Sequence, residues 1–400
     1  MQQAPGQTGA VNQNLHLEAI MKRKSSMTKL FRSLLCLGTA TLALVSGAIR
    51  SSAQATNSPA QTNDQRRLHV WWRQGGAGQR PYTVDSKQMP LISVKGNKFV
   101  DPDGNTVLFR GLAISDPDKL EMQGHWSRDY FVKIKDLGTK LVRIPVHPIA
   151  WRERTPAEYI KLLDQAVGWC TELQMYVIID WHSIGNLETG VFQDPMYETS
   201  KQETYNFWRT MARHYAGHNT VAFFELFNEP TTYRGQLGPV VWSDWKRTVE
   251  TEITLIRGYD KQVIPLVAGF DWSYDLTSVR EAPIAAEGIG YTVHPYANKR
   301  SRPWEPKWEE DFGFVADKYP MIATEFGGFA SPGSTNAPTG RNAPSPDYGP
   351  AIINYLEGKG ISWTVWCFDP EWGPTLLRNW NFELNSSGEF AKAAMNGQVK

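Results

Sequence analysis

Two glutamates stand out because each closes an apolar run. Val221–Phe227 is apolar apart from Glu225, and it leads into Asn228-Glu229-Pro230. A continuous apolar run of that length fits a strand buried on both faces, as in parallel sheets. The proline cannot donate to a ladder and stops the strand. Glu229 is thereby presented at a carboxyl end, beside an amide. Met321–Glu325 repeats the arrangement, and Gly327-Gly328 then lets the backbone turn. Carboxyl ends of parallel strands are where α/β folds carry their chemistry. Two carboxylates across one cleft can hydrolyse a glycosidic bond, one protonated and donating to the leaving oxygen, the other ionised. Their environments must then push the two pKa values apart.

Other apolar runs end in residues that suit such a cleft. Arg143, His182, His294, Tyr296 and Trp366 all fall at or near a strand's carboxyl end. In a core these groups would have to be desolvated, which is costly unless they pair. Arg143 and Tyr296 are placed to lower the pKa of one glutamate by charge and hydrogen bonding. Asn228 suits a sugar hydroxyl, and Trp366 an apolar floor under a ring. Trp181 and Trp272, then Trp126 and Trp372, are candidates for stacking on outer sugars. Asp116 and Asp118 are read as turn formers rather than a cation site, and no Cys/His spacing resembles a structural zinc site.

The elements that must position these residues alternate along the chain. Short apolar runs occur at 108–114, 141–146, 176–182, 221–229, 263–269, 289–296, 321–328 and 361–369. Helical periodicity falls between most of them, at 127–137, 156–174, 201–218, 241–259, 305–318 and 348–357, and again at 388–397. Eight strands alternating with helices predict an α/β fold, a (β/α)8 TIM barrel. Leu91–Arg110 carries turn signals at Gly96-Asn97 and 101–104, and predicts an N-terminal β-hairpin cap. A doubly wound sheet would more often show a glycine-rich phosphate loop, and none is found. The segment 271–287 is short of helix signal, and 329–348 is a long loop rich in Pro, Gly, Ser and Asn.

These residues resemble glycoside hydrolase family 5, the cellulase family A, from about Leu91 to the C-terminus. The motifs are Leu226-Phe-Asn-Glu-Pro230, Val142-Arg-Ile-Pro145, Ile179-Asp-Trp-His182, His294-Pro-Tyr296, Thr324-Glu-Phe-Gly327 and Trp366. The resemblance implies a retaining mechanism with Glu229 as acid/base and Glu325 as nucleophile. It implies that Arg143 and Tyr296 orient the nucleophile, and that Asn228 contacts the 2-hydroxyl. It further implies that His182 and His294 line the catalytic subsite over the Trp366 floor, with no metal and no cofactor. The implied activity is a secreted endo-β-1,4-glucanase acting on a β-glucan polysaccharide or oligosaccharide. Other β-glycanases of the family (β-mannanase, xyloglucanase, mixed-linkage β-glucanase) and a non-catalytic carbohydrate-binding barrel are the alternatives.

Composition agrees with a neutral partner. The chain has 400 residues, with 42 basic against 41 acidic, a net charge of +1. No global field recruits nucleic acid or an anionic membrane. Sixteen tryptophans is a high count; most belong to a core, and a surplus at loop starts after strands would suit flat apolar ligand faces such as sugar rings. Residues 1–55 read as an N-terminal extension and a secretory signal. Lys22, Arg23 and Lys24 precede the uncharged run Leu34–Ile49 and the small-x-small site Ala53-Gln-Ala55. An uncleaved anchor is the alternative. Residues 56–90 read as a linker or arm, in which Trp71-Trp72 could pin to a surface. The catalytic domain spans 91–400, expected to be secreted, monomeric and free of the membrane after signal cleavage. Cys170 and Cys367 are expected to be buried free thiols.

Overall fold

The computed structural model describes residues 88–231, 235–329 and 347–399, all within one compact unit spanning Gln79–Lys400. The expected signal, the 56–87 part of the arm, Cys36 and nearly all of the 329–348 loop lie outside the described residues.

Strands β1 (Ser93–Lys95) and β2 (Lys98–Val100) form the expected hairpin, with Val94 opposite Phe99. The chain then lays down β3 (Arg110–Ala113), β4 (Leu141–Val146) and β5 (Tyr176–Trp181). Two short strands, β6 (Ile184–Asn186) and β7 (Val191–Phe192), follow β5. After β8 (Val221–Glu225) comes β9 (Glu229–Pro230). The last four are β10 (Ile264–Ala268), β11 (Gly290–Val293), β12 (Met321–Ala323) and β13 (Ser362–Val365). Strands β3, β4, β5, β8, β10, β11, β12 and β13 close into one parallel barrel, β13 pairing back onto β3 through Trp363 and Arg110. Seven of the eight are buried along their whole length, and β3 along all but Arg110, as continuous apolar runs require in a sheet covered on both faces.

The barrel interior has two ends with different chemistry. At the amino end of the strands Phe109, Leu141, Tyr176, Phe223, Ile264 and Ile322 form an apolar plug. The hairpin seals it, with Phe99 edge-on to Phe223 at 5.1 Å between ring centres. At the carboxyl end the interior turns polar. That division lets one end supply stability and the other chemistry.

Helices sheathe the barrel. Helix Pro156–Glu172 buries Tyr159, Ile160, Leu163, Ala166, Val167 and Cys170 on one stripe, each large side chain contributing about 1.5–3 kcal/mol. Ser127 and Ser200 cap helices Arg128–Asp136 and Lys201–His214 by accepting from Tyr130 and Glu203 backbone N–H. Two helices are shorter than their periodicity suggests. Helix Lys201–His214 stops before a turn at Gly217, whose φ is +75°. The 305–318 stretch splits at Phe312, φ −149°, into helix Glu305–Asp311 and a 3-10 turn Gly313–Asp317. Between β10 and β11 a short turn, Phe270–Ser273, and a 3-10 segment, Thr277–Arg280, stand where a helix would usually run. Cys170 and Cys367 are free and buried. Among the described residues no helix is long and apolar enough to cross a membrane.

Candidate active site

Glu229 is not on a free loop. After β8 the backbone threads between its neighbours: Asn228 N–H donates to Trp181 O at 3.1 Å, and Glu229 N–H to Ser183 O at 3.0 Å. Glu229 and Pro230 form β9, which pairs in parallel with β6, and β7 pairs with β6 on its other side. Gly185 makes that small sheet possible, since a Cβ there would lie 2.4 Å from the Phe192 ring. Glu325, at the end of β12, is fixed by Trp366 N–H donating to Phe326 O at 2.8 Å. Carboxylate oxygens of Glu229 and Glu325 and a ring nitrogen of His294 all lie within 4.8 Å of one another. The side chains of Glu229 and Glu325 keep 11% and 10% exposure, whereas Arg143, Glu225 and Asp180 have none. The two glutamates therefore form the exposed layer of the rim, and the ions beneath support them.

Arg143 is the hub of that support. Its Nη1 donates to Glu325 Oε2 at 2.8 Å, its Nε to Glu225 Oε2 at 2.6 Å and its Nη2 to Asn228 Oδ1 at 2.6 Å. Asp180 Oδ2 lies 3.0 Å from Nη2. The planar guanidinium thus sets the relative positions of the residues ending β5, β8 and β12, as a rigid fork can and an ammonium cannot. Burial disfavours the Glu225 charge, but Arg143 and His294 outweigh it and hold its carboxyl down to about 2. The sequence suggested that Arg143 and Tyr296 would lower the pKa of one cleft glutamate. Arg143 pulls on two glutamates, and the one whose pKa ends below its ordinary value is the buried Glu225. Glu325 moves the other way: its burial raises the pKa, against the pull of His294, Arg143 and Tyr296.

His294 links the two carboxylate layers. Its Nδ1 faces Glu229 Oε1 at 3.0 Å and its Nε2 faces Glu225 Oε1 at 3.3 Å and Thr324 Oγ1 at 3.1 Å. Burial disfavours the imidazolium, but Glu325, Glu225 and Glu229 prevail and its pKa is pushed up to about 9. At neutral pH both nitrogens then donate. Tyr296, whose phenol is pushed well above its usual range by burial and by Glu325, donates to Glu325 Oε1 at 2.8 Å. Asn228 Nδ2 is buried and has no partner among the described residues, so one amide donor is left for a ligand.

His182 sits under the opposite side of the cleft. Burial and the neighbouring His147, Arg143 and His294 charges hold it well below its usual pKa. Its Nδ1 lies 2.6 Å from Asp180 Oδ2, which fixes the orientation of the ring. Its plane lies 3° from that of Trp366, with ring centres 5.4 Å apart. Trp372 runs nearly parallel to Trp366 at 6.4 Å.

The structure thus gathers Arg143, His182, Asn228, Glu229, His294, Tyr296, Glu325 and Trp366 on one rim, and Trp272 lies in a rim turn. Two tryptophans are elsewhere. Trp181 is fully buried, stacked on Phe207 at 4.2 Å with its Nε1–H on Thr204, so it presents no face to a sugar. Trp126 packs on Phe131 and Trp169 in the helical layer. Glu225 and Asp180 were missed as site residues, and so was His147, which packs on His182, Tyr197 and Trp372. Asp116 accepts from His147 and Tyr159, and Asp118 from Arg154.

The family described as cellulase (glycosyl hydrolase family 5) matches residues 100–371. Endoglucanase A of Butyrivibrio fibrisolvens is 30% identical over 220 residues, 52% of this chain and 45% of that protein. An endoglucanase of Clostridium saccharobutylicum is 27% identical over 318 residues, 76% of this chain and 65% of that protein. The chain therefore spans about half to two thirds of these curated relatives. Among solved structures, a β-glucanase of Saccharophagus degradans is 42% identical with a TM-score of 0.77, covering 83% of this chain and 100% of that one. The same β-glucanase has been solved with cellotetraose bound. By the matched span and the rim it covers, the chain belongs to the cellulase family, glycosyl hydrolase family 5.

Proposed function

We propose that the protein is a secreted endo-β-1,4-glucanase that cleaves internal bonds of a β-glucan with retention of configuration. The observation that carries this reading is that one carboxylate oxygen of Glu229 and one of Glu325 lie within 4.8 Å of each other. Retaining pairs stand about 5–5.5 Å apart, while inverting pairs leave roughly 6.5–9.5 Å for a water. In this reading Glu325 attacks the anomeric carbon as Glu229 protonates the departing oxygen. Glu229, now a carboxylate, then takes a proton from the water that releases the sugar. Arg143 and Tyr296 hold Glu325 for in-line attack, and the free Asn228 amide donates to the 2-hydroxyl. His182 and Trp366 form the wall and floor of the same subsite.

Family membership and the cellotetraose bound by the 42%-identical β-glucanase support a β-glucan as substrate. Both carboxylates are present with their supports, which argues against a barrel that only binds carbohydrate. Digestion of a panel of β-glucans and mannans, with the products identified, tests the reading. Soluble β-1,4-linked glucans are expected to yield internal fragments, and mannan none. A panel in which only mannan is cut, or nothing is cut, would contradict it.

The pH dependence follows from Glu325, which must be ionised to attack. Its pKa is raised above the ordinary 4.5. On the acid side, activity is therefore lost as pH falls through the raised value. The acid limb of kcat/KM on cellotetraose is expected above 4.5, and a limb at or below that value would contradict the assignment.

A further inference from the structure

The loop that begins at Trp366 carries a second indole. Cys367 N–H donates to Pro374 O at 3.0 Å and Leu376 N–H to Cys367 O at 2.9 Å, so the segment after β13 closes on itself with Trp372 in its span. Asp369 holds it from within. Its Oδ1 accepts Glu371 N–H at 2.6 Å and Trp372 N–H at 2.8 Å, and its Oδ2 accepts the Ser115 hydroxyl at 2.6 Å. Trp372 is half-buried, and its ring is tilted 14° from that of Trp366 with centres 6.4 Å apart. His147 meets it edge-on at 5.2 Å.

A buried cation ties this loop to the one after β3. Lys119 lies on the short helix Pro117–Met122, and its side chain is 5% exposed. Its Nζ stands 2.5 Å from Asp369 Oδ2 and 3.1 Å from Glu371 Oε2. It also lies 5.2 Å from the ring centre of Trp372 and 5.2 Å from that of Trp380, within reach of a cation–π contact. Trp380 is backed by His125, stacked at 3.8 Å. Gln123, just past the same helix, donates to Glu371 Oε2 at 2.9 Å. An ammonium so enclosed by two carboxylates and two indoles has little left to offer a ligand. What it can do is fix where the Trp372 face points.

The strand order tells which sugar that face would meet. The barrel closes as β10, β11, β12, β13, β3, β4, β5, β8, so β13 stands opposite β8 across the mouth. Glu229 follows β8 and, as proton donor, faces the leaving group. Trp372 and Lys119, on the loops after β13 and β3, therefore lie on the far side, where the non-reducing part of the glucan runs.

We propose that Lys119 is a positioning residue that acts through Trp372, which seats the glucose next to the one over Trp366, on the side away from the leaving group. The inference rests on the acid/base reading of Glu229 given above. A β-linked glucose carries its hydroxyls around its edge and offers a flat C–H face, which a fixed indole matches.

The test is a double-mutant cycle on 2,4-dinitrophenyl cellobioside, both of whose sugars lie on the far side from Glu229 and whose leaving group needs no proton. Trp372→Ala is expected to lower kcat/KM about five- to tenfold, through KM. Lys119→Met should lower it about two- to fivefold, again through KM. In the Trp372→Ala background Lys119→Met should add nothing, because the ring it acts on is gone. Should Lys119→Met fail to fold, Trp380→Leu, which leaves Lys119 on Asp369, takes its place with the same expectation. With the wild type active, an unmoved kcat/KM in either single variant, a loss carried by kcat alone, or equal losses from Lys119→Met in both backgrounds overturns this inference alone. A wild type that neither releases dinitrophenolate nor cuts cellotetraose overturns the glucanase reading, and this inference with it.

Discussion

Glu229→Gln is expected to lower hydrolysis of cello-oligosaccharides by about 10²–10⁴-fold, the usual worth of a positioned proton donor. The amide has the shape of the carboxyl group and can still accept from His294 Nδ1, which stands 3.0 Å from Glu229 Oε1 in the native protein. It cannot deliver a proton to a sugar oxygen or take one from water. The two steps should therefore separate by substrate. An oligosaccharide, with a poor leaving group, stalls before the bond breaks. A dinitrophenyl cellobioside still glycosylates Glu325, because its leaving group departs unaided, and then waits for a water that nothing activates. The signature is a burst of dinitrophenolate followed by slow turnover. Full activity on oligosaccharide would remove Glu229 from the role.

Arg143→Met should give the largest loss of stability. It removes a cation that touches Glu225, Asp180 and Glu325 together. Breaking a buried pair leaves uncompensated charge and costs about 3–5 kcal/mol, equivalent to a Tm lower by about 5–8 °C in a domain of this size. Activity should fall on aryl glycosides and oligosaccharides alike, since the nucleophile loses its anchor whatever the leaving group. The pH dependence has a definite sign. Glu225 is depressed to about 2 in the native protein, so its pairing contributes stability above the ordinary 4.5 that is lost as pH falls through 2. The Tm gap between wild type and Arg143→Met should narrow over that window. Thermal unfolding at pH 7 and pH 3 checks it, and a constant gap would contradict the arrangement.

The barrel was legible because eight apolar runs end in polar or aromatic residues, and burial on both faces leaves just that trace. The pair Glu229 and Glu325 was legible for the same reason. Glu225 was harder to read, because one carboxylate inside an apolar run says nothing about where its counter-ion is. Its partner Arg143 lies 82 residues away and becomes a neighbour only when β4, β5 and β8 pair side by side. Trp181 was misread although a signal existed. Side chains alternate along a strand, so if Asp180 and His182 meet Arg143 and Trp366 inside, Trp181 must point out to the helices, where it lies against Phe207. Beyond the shortage of helix signal over 271–287, nothing pointed to the left-handed backbone of Asp271, Trp272 and Ser273, all with φ of +56°, since glycine marks positive φ and these three positions have none.

The whole account depends on Glu325 forming a bond to the sugar. Mass spectrometry of Glu229→Gln after incubation with 2,4-dinitrophenyl cellobioside, followed by peptide mapping, tests this directly. The account predicts one cellobiosyl adduct, on the peptide carrying Glu325 and on that side chain. No adduct despite dinitrophenolate release, or an adduct on any other residue, would contradict it.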